Sequence, residues 1–208
     1  ASPTATVAII EGNDIRGNQA SGSTTAINGI EIGSGNAGLL CRSNKIHDII
    51  HSNTSGYGAY GIHVTGSTNN SGVTIANNFI WDMKSTNWST GISATSTDLA
   101  IGLRVSAGAT GLKIYHNTIS INTANFAPTT AGYSGCVQLT TTGITGSDIR
   151  NNIFSMTQVG GTNSKYYCML RTHLLAINLF NNYSNISKIF INTGRNTPMI
   201  TDILHYKS

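Results

Sequence analysis

Four polar residues stand at one place in a recurring motif: Glu31 in "GIEIG", His63 in "GIHVTG", Arg104 in "GLRVSAG" and Gln138 in "GCVQLTTTG". Side chains alternate across a strand, so if Ile30, Ile62 and Leu103 point inward, Glu31, His63 and Arg104 point outward in one row that Gln138 continues. Such a row has the chemistry to grip an acidic sugar. Arg104 would neutralise a carboxylate, and His63 would carry a proton. The same four residues also suit a cross-strand polar ladder that keeps a stacked sheet soluble. A one-residue slip in register would turn the row inward.

Aromatic residues form a second set. Tyr57, Tyr60, Trp88, Phe126, Tyr133, Tyr166 and Tyr167 all precede the strands that carry the polar row, in segments read as loops. A ring with an apolar face can stack on a sugar, and Tyr60, Trp88 and Tyr133 are the expected platform beside the row. The eight carboxylates, by contrast, are scattered: Glu11, Asp14, Glu31, Asp48, Asp82, Asp98, Asp148 and Asp202. Only Asp48 and Asp82 align, and no third ligand follows them. No metal site and no cofactor is expected.

These residues must be positioned by something that repeats. The segments "VAIIEGNDI", "GLLCRSNKIHDI", "GVTIANNFIWDM", "GLKIYHNTISI", "GSDIRNNIFSM" and "AINLFNNYSNI" align on Asn13, Asn44, Asn78, Asn117, Asn152 and Asn182, with spacings of 31, 34, 39, 35 and 30 residues. A period of that size in a β-rich chain is the mark of a solenoid. Apolar residues recur five and three positions before each Asn, as in Val73 and Ile75, and again two positions after it, as in Ile80, with Ser147 and Ser184 as exceptions. The alternation predicts two strands per repeat with one buried face, meeting at a corner. Asn suits a corner because it tolerates a left-handed backbone, and stacked Asn amides can hydrogen-bond along the column. The strand of the polar row, bounded by Gly, supplies a further face. Loops such as "SNTSGYGAY" absorb the uneven spacing.

This pattern resembles the parallel β-helix of the pectate-lyase-like superfamily, whose repeats often carry Asn at a tight turn. The resemblance implies an all-β, single-stranded parallel β-helix solenoid of about six coils, right-handed, in a protein that is secreted or surface-exposed. It also implies a choice among polysaccharide lyases, glycoside hydrolases, tailspikes, adhesins and stalks. A polygalacturonase of this kind is expected to carry paired aspartates near Asn-Thr-Asp, a His-Gly pair and Arg-Ile-Lys. The nearest string here, Asn192-Thr193-Gly194, lacks the carboxylate. A calcium-dependent lyase needs clustered acids and a basic proton acceptor.

Composition narrows the classes further. The 208 residues read as one domain, 1–208, with 10% charged residues and a net charge of +4 that is spread thinly. That argues against disorder and against a nucleic-acid partner. No stretch of about 18 apolar residues occurs, so no membrane insertion is expected. Cys41, Cys136 and Cys168 lack metal-ligand spacing. Cys136 and Cys168 fall at matching places in consecutive repeats, within reach of a disulfide. The sequons at Asn53, Asn69, Asn87, Asn182 and Asn185 are expected by chance in a chain so rich in Asn and Ser. The chain is expected to be part of a longer protein, flanked by further coils. The function expected is a non-catalytic extracellular or cell-surface domain that binds a polysaccharide or glycan, or acts as a rigid adhesin or stalk. The alternative is a polysaccharide lyase or glycoside hydrolase using His63, Arg104 and Glu31. An ice-binding face ranks last, because "LTTTG" and "SATSTD" are out of register.

Overall fold

The computed structural model describes residues 7–22, 25–52, 58–66, 70–85, 98–122, 133–158, 165–171, 177–180, 183–184, 189–191 and 199–201. All regular elements among them are strands, and the chain is a parallel β-solenoid. The strands before each ladder Asn, Ile9–Glu11, Leu40–Arg42, Thr74–Ala76, Lys113–Tyr115, Ser147–Arg150 and Ile177–Phe180, stack in that order into one parallel sheet, here the entry sheet. The strands after the Asn form the exit sheet: Asp14–Arg16, Lys45–His47, Phe79–Trp81, Thr118–Ile121, Ile153–Met156 and Tyr183–Ser184. A small third sheet holds Gln19–Ala20, Ile49–His51 and Met83–Ser85.

The long strands close the coil. Ile27–Ile32, Ala59–Val64, Asp98–Val105, Tyr133–Leu139, Lys165–Arg171 and Ile189–Ile191 pair in parallel, and Met199–Thr201 adds antiparallel to the last. The solenoid has about four turns, where the six coils expected had counted every ladder Asn.

The interior is built from the positions that the repeat marks as apolar. Leu39, Val73 and Leu112, Cys41, Ile75, Ile114 and Ile149, and Ile46, Ile80, Ile119 and Phe154 are all buried, facing Ile62, Val64, Leu103, Val105, Val137 and Leu139 of the long strands. Burial of these stacked aliphatics is the main favourable term. Gly29, Gly61 and Gly102 fill a narrow place opposite Ile46, Ile80 and Ile119, where an added Cβ would collide with the isoleucine Cγ2. Cys136 and Cys168 occupy the corresponding places in the next two turns, as the pairings Leu103 with Val137 and Val137 with Met169 require. Both are buried free thiols rather than the bridge that their positions suggested. Cys136 Sγ lies 3.6 and 3.4 Å from the carbonyls of Ile119 and Ser155, either of which can accept its one thiol hydrogen, and Cys168 Sγ donates to that of Phe154 at 3.6 Å. Burial holds the Cys136 pKa well above its ordinary value, so the reactive thiolate is disfavoured.

The corners correct one expectation. The ladder Asn is not the left-handed residue; the residue before it is, namely Gly12, Ser43, Asn77, His116 and Asn151, with φ from 54° to 71°. In the Asn77–Asn78 and Asn151–Asn152 pairs the first Asn therefore turns the chain and the second enters the ladder. A second left-handed corner falls four residues after the Asn, at Gly17, Asp48 and Asp82 (φ 70°, 54° and 53°). The alignment of Asp48 with Asp82 thus has a backbone cause, since Asp tolerates this region better than bulkier residues do.

The ladder is a chain of amide bonds inside the solenoid. The backbone N–H and Nδ2 of Asn44 both donate to Oδ1 of Asn78, at 3.1 and 3.0 Å. Asn78 repeats this to Asn117 at 3.0 and 3.0 Å, and Asn117 to Asn152 at 2.9 and 3.0 Å. The second Nδ2 hydrogen goes to a carbonyl of the turn before: Ile10 from Asn44, Cys41 from Asn78, Ile75 from Asn117 and Ile114 from Asn152. Asn13 joins at the exposed end through Asn44 Oδ1, and Asn182 lies outside the described residues.

Replacing Asn78 with Ala would leave the Asn44 backbone N–H and the Cys41 carbonyl without these side-chain partners in a dry interior. At about 1–3 kcal/mol for each buried group left unsatisfied, Asn78→Ala is expected to cost about 3 kcal/mol or more. Asn13→Ala, at an exposed position, should cost under about 1 kcal/mol. Urea-unfolding midpoints of the two variants against the wild type check the contrast.

Candidate functional site

The long strands bring the polar row into register. Glu31 pairs with His63, His63 with Arg104 and Arg104 with Gln138, while Ile30, Ile62 and Leu103 face inward. The side chains then bond to one another. Arg104 donates from Nε to Gln138 Oε1 at 3.1 Å and from a terminal nitrogen to His63 Nε2 at 2.9 Å, and its guanidinium lies 5.1 Å from the Tyr60 ring centroid. Glu31 is occupied by Asn28, whose Nδ2 donates to it at 2.6 Å. Glu31 is exposed, His63 and Arg104 are half-buried, and Gln138 is buried.

A guanidinium can only donate, so His63 Nε2 must accept and the ring proton of the neutral imidazole sits on Nδ1. Ser106 Oγ lies 2.8 Å from the same Nε2. Burial first, and the Arg104 charge second, lower the His63 pKa to about 4. His63 is therefore neutral near pH 7 and a weak base there. His51, on the short third sheet, is lowered in the same direction by burial, with its Nε2 3.1 Å from the Thr25 carbonyl.

The expected aromatic platform is arranged otherwise than the sequence suggested. Tyr60, Tyr133, Tyr166 and Tyr167 lie in the long strands, not in loops. Tyr60 is buried and edge-on to His63, with centroids 5.1 Å apart. Tyr133, half-buried, stacks on Tyr167 at 6.1 Å, and burial raises the Tyr167 pKa to about 12. Tyr57, Trp88 and Phe126 lie outside the described residues.

The exit sheet carries a cluster that sequence reasoning passed over. His47 and Trp81 stack in adjacent strands with centroids 4.1 Å apart and planes 9° from parallel, and Phe79 lies 4.3 Å from Trp81. The His47 ring is held between two carboxylates, with Nδ1 2.7 Å from Asp48 Oδ2 and Nε2 3.1 Å from Asp14 Oδ1. The signal was available, because positions one and three after a ladder Asn flank the inward Ile80 and must point out. On the entry sheet, charges pair locally, as in Arg42 with Glu11 and Arg150 with Asp148. Among the described residues no group of His, Cys, Asp and Glu is placed to hold a metal, and no helix is long and apolar enough to cross a membrane.

Fold and site together define a parallel β-solenoid repeat protein with polar and aromatic rows on its flanks. Comparison with protein-family models, with curated proteins and with solved structures found no match.

The lowered His63 pKa has a definite sign. A group favoured neutral in the fold stabilises it fully above the unfolded pKa of about 6.5. That contribution is lost as pH falls from there to about 4, the folded value. In an NMR titration the His63 ring should stay neutral down to about pH 5. Arg104→Ala removes the secondary cause and should raise that pKa.

Proposed function

We propose that this chain is a non-catalytic β-helix module of a secreted or cell-surface protein that binds a carbohydrate polymer on its rigid flank. The observation that carries the reading is the closure of the polar row on itself. Arg104 is held by Gln138 and His63 and capped by Tyr60, and Glu31 is taken by Asn28. Groups committed to one another give a surface fixed shape and donor pattern, which is what recognition needs. Acid and base work asks for something different. A glycosidase needs two carboxyl groups facing one bond, and a lyase needs a base poised near the working pH. His63, with a pKa of about 4 and an arginine at its accepting nitrogen, is poorly suited to that role.

The low content of charged residues and the resemblance to the pectate-lyase-like superfamily support an extracellular setting. A stacked solenoid is also stiff along its axis, so the same architecture suits an adhesin or stalk segment. The lyase or glycoside hydrolase alternative keeps its expected residues, His63, Arg104 and Glu31.

The experiment is a broad polysaccharide array run beside an assay for new reducing or unsaturated ends. Retention on at least one polymer without product is the expected result. Product that disappears in His63→Ala would make the protein an enzyme, and no retention on any polymer would leave only the stalk.

A further inference from the structure

The end of the solenoid made by the first strands is open in three ways at once. Its core is open, because Ile10, Ile15 and Ile27 point inward yet are only half-buried, while their neighbours in the stack, Cys41, Ile46 and Ala59, are 0% exposed. Its sheets are open too. The Leu40 N–H donates to the Ala8 carbonyl, the Gly12 N–H to that of Arg42 and the Lys45 N–H to that of Asn13. By alternation Ile9, Glu11, Asp14 and Arg16 turn their N–H and C=O groups to the side where, among the described residues, no strand pairs.

The ladder is open as well, and with a direction. Oδ1 of Asn44, Asn78, Asn117 and Asn152 each accepts the backbone N–H and the Nδ2 of the preceding Asn. Among the described residues no donor reaches Oδ1 of Asn13. Its Nδ2 also departs from the pattern. Asn44 sends its second hydrogen back to the Ile10 carbonyl of the turn before, whereas Asn13 turns that hydrogen to the Glu11 carbonyl of its own turn at 3.2 Å.

From this arrangement we infer that the end is a docking surface for a partner polypeptide that adds one strand–Asn–strand segment in parallel, with its Asn donating to Asn13 Oδ1. The three openings select that occupant together. Strand edges ask for an extended backbone, the inward isoleucines ask for apolar residues three positions before and two after the bend, and the acceptor at the corner asks for an amide donor at the bend itself. A second copy of this chain meets these demands poorly. Across a two-fold axis the two ladders would meet acceptor end to acceptor end. Stacked head to tail, the strand Ile27–Ile32 of one copy would need the open edge of Ile189–Ile191 of the other, and Met199–Thr201 already pairs there.

The probe is a synthetic peptide of residues 38–49 with Cys41→Val, which carries the strand–Asn–strand pattern and would set its arginine beside Glu11 and its lysine beside Asp14, as Arg42 and Lys45 stand on the inner side. It is titrated into the protein while the backbone amide signals are followed by NMR. Without peptide the amides of Ile9, Glu11, Asp14 and Arg16 should exchange fast with solvent. With peptide they should shift saturably and exchange at least about tenfold more slowly. Asn44→Ala in the peptide, or Asn13→Ala in the protein, should each weaken binding by about tenfold, with the circular dichroism of the protein unchanged because Asn13 is exposed. No shift with the peptide would overturn the proposal, and so would equal binding of the Asn44→Ala peptide, which would mean apolar adhesion without the ladder. Slow exchange of the four amides in the protein alone would mean that the end is already covered. If that protection comes with a concentration-dependent dimer in sedimentation, the cover is a second copy; if the protein stays monomeric, it is the chain's own residues. Either result overturns the proposal.

Discussion

A column of asparagines inside the solenoid is the constraint on which the remaining structure depends. An amide in a dry interior is costly unless its donors and its acceptor are all engaged. Asn44, Asn78 and Asn117 meet that demand only when the next turn places its own Asn one strand spacing away. The ladder therefore sets the registration of each turn on the last. It also ties the side-chain amide of one turn to a backbone carbonyl of the turn before, so it links the backbone of neighbouring coils as well as their side chains.

Registration is what turns a repeat into a surface. Once consecutive turns align at the Asn, every outward position on the entry, exit and long-strand sheets aligns too. Glu31, His63, Arg104 and Gln138 meet for that reason, and so do His47 and Trp81, which are 34 residues apart in the chain. Neither row needs a loop to assemble it. The loops vary in length without disturbing either, because their ends are fixed by the stacked strands.

Much of this architecture was legible in the sequence because it is carried by residue type at fixed spacing. The ladder Asn, the inward Ile75, Ile80 and Ile114 and the row from Glu31 to Gln138 all announce themselves that way. The left-handed corner did not, since its occupants are Gly12, Ser43, Asn77, His116 and Asn151, and only the backbone angle unites them. The strand placement of Tyr60 and Tyr133 was hidden for a related reason. Tyr60 and Tyr133 precede the Gly-bounded core of the strand motif and looked like loop residues, whereas the long strands begin earlier, at Ala59 and Tyr133. The contact of His47 with Trp81 depends on register across two turns, which a scan of single motifs does not reveal. The fate of the two matched thiols was equally hidden, because spacing puts Cys136 and Cys168 in one row and says nothing of their bonding.

Native-state hydrogen exchange tests the ladder most directly. The backbone N–H groups of Asn44, Asn78 and Asn117 donate to side-chain oxygens, a type of bond that often opens easily at a protein surface, yet here they are buried. If the ladder fixes the stacking, these three amides should exchange as slowly as those of the core strands at Ile75 and Ile114, and far more slowly than the amide of exposed Asn13. Exchange of Asn78 as fast as that of Asn13 would mean that the column follows from the stacking instead of fixing it, and would contradict the account.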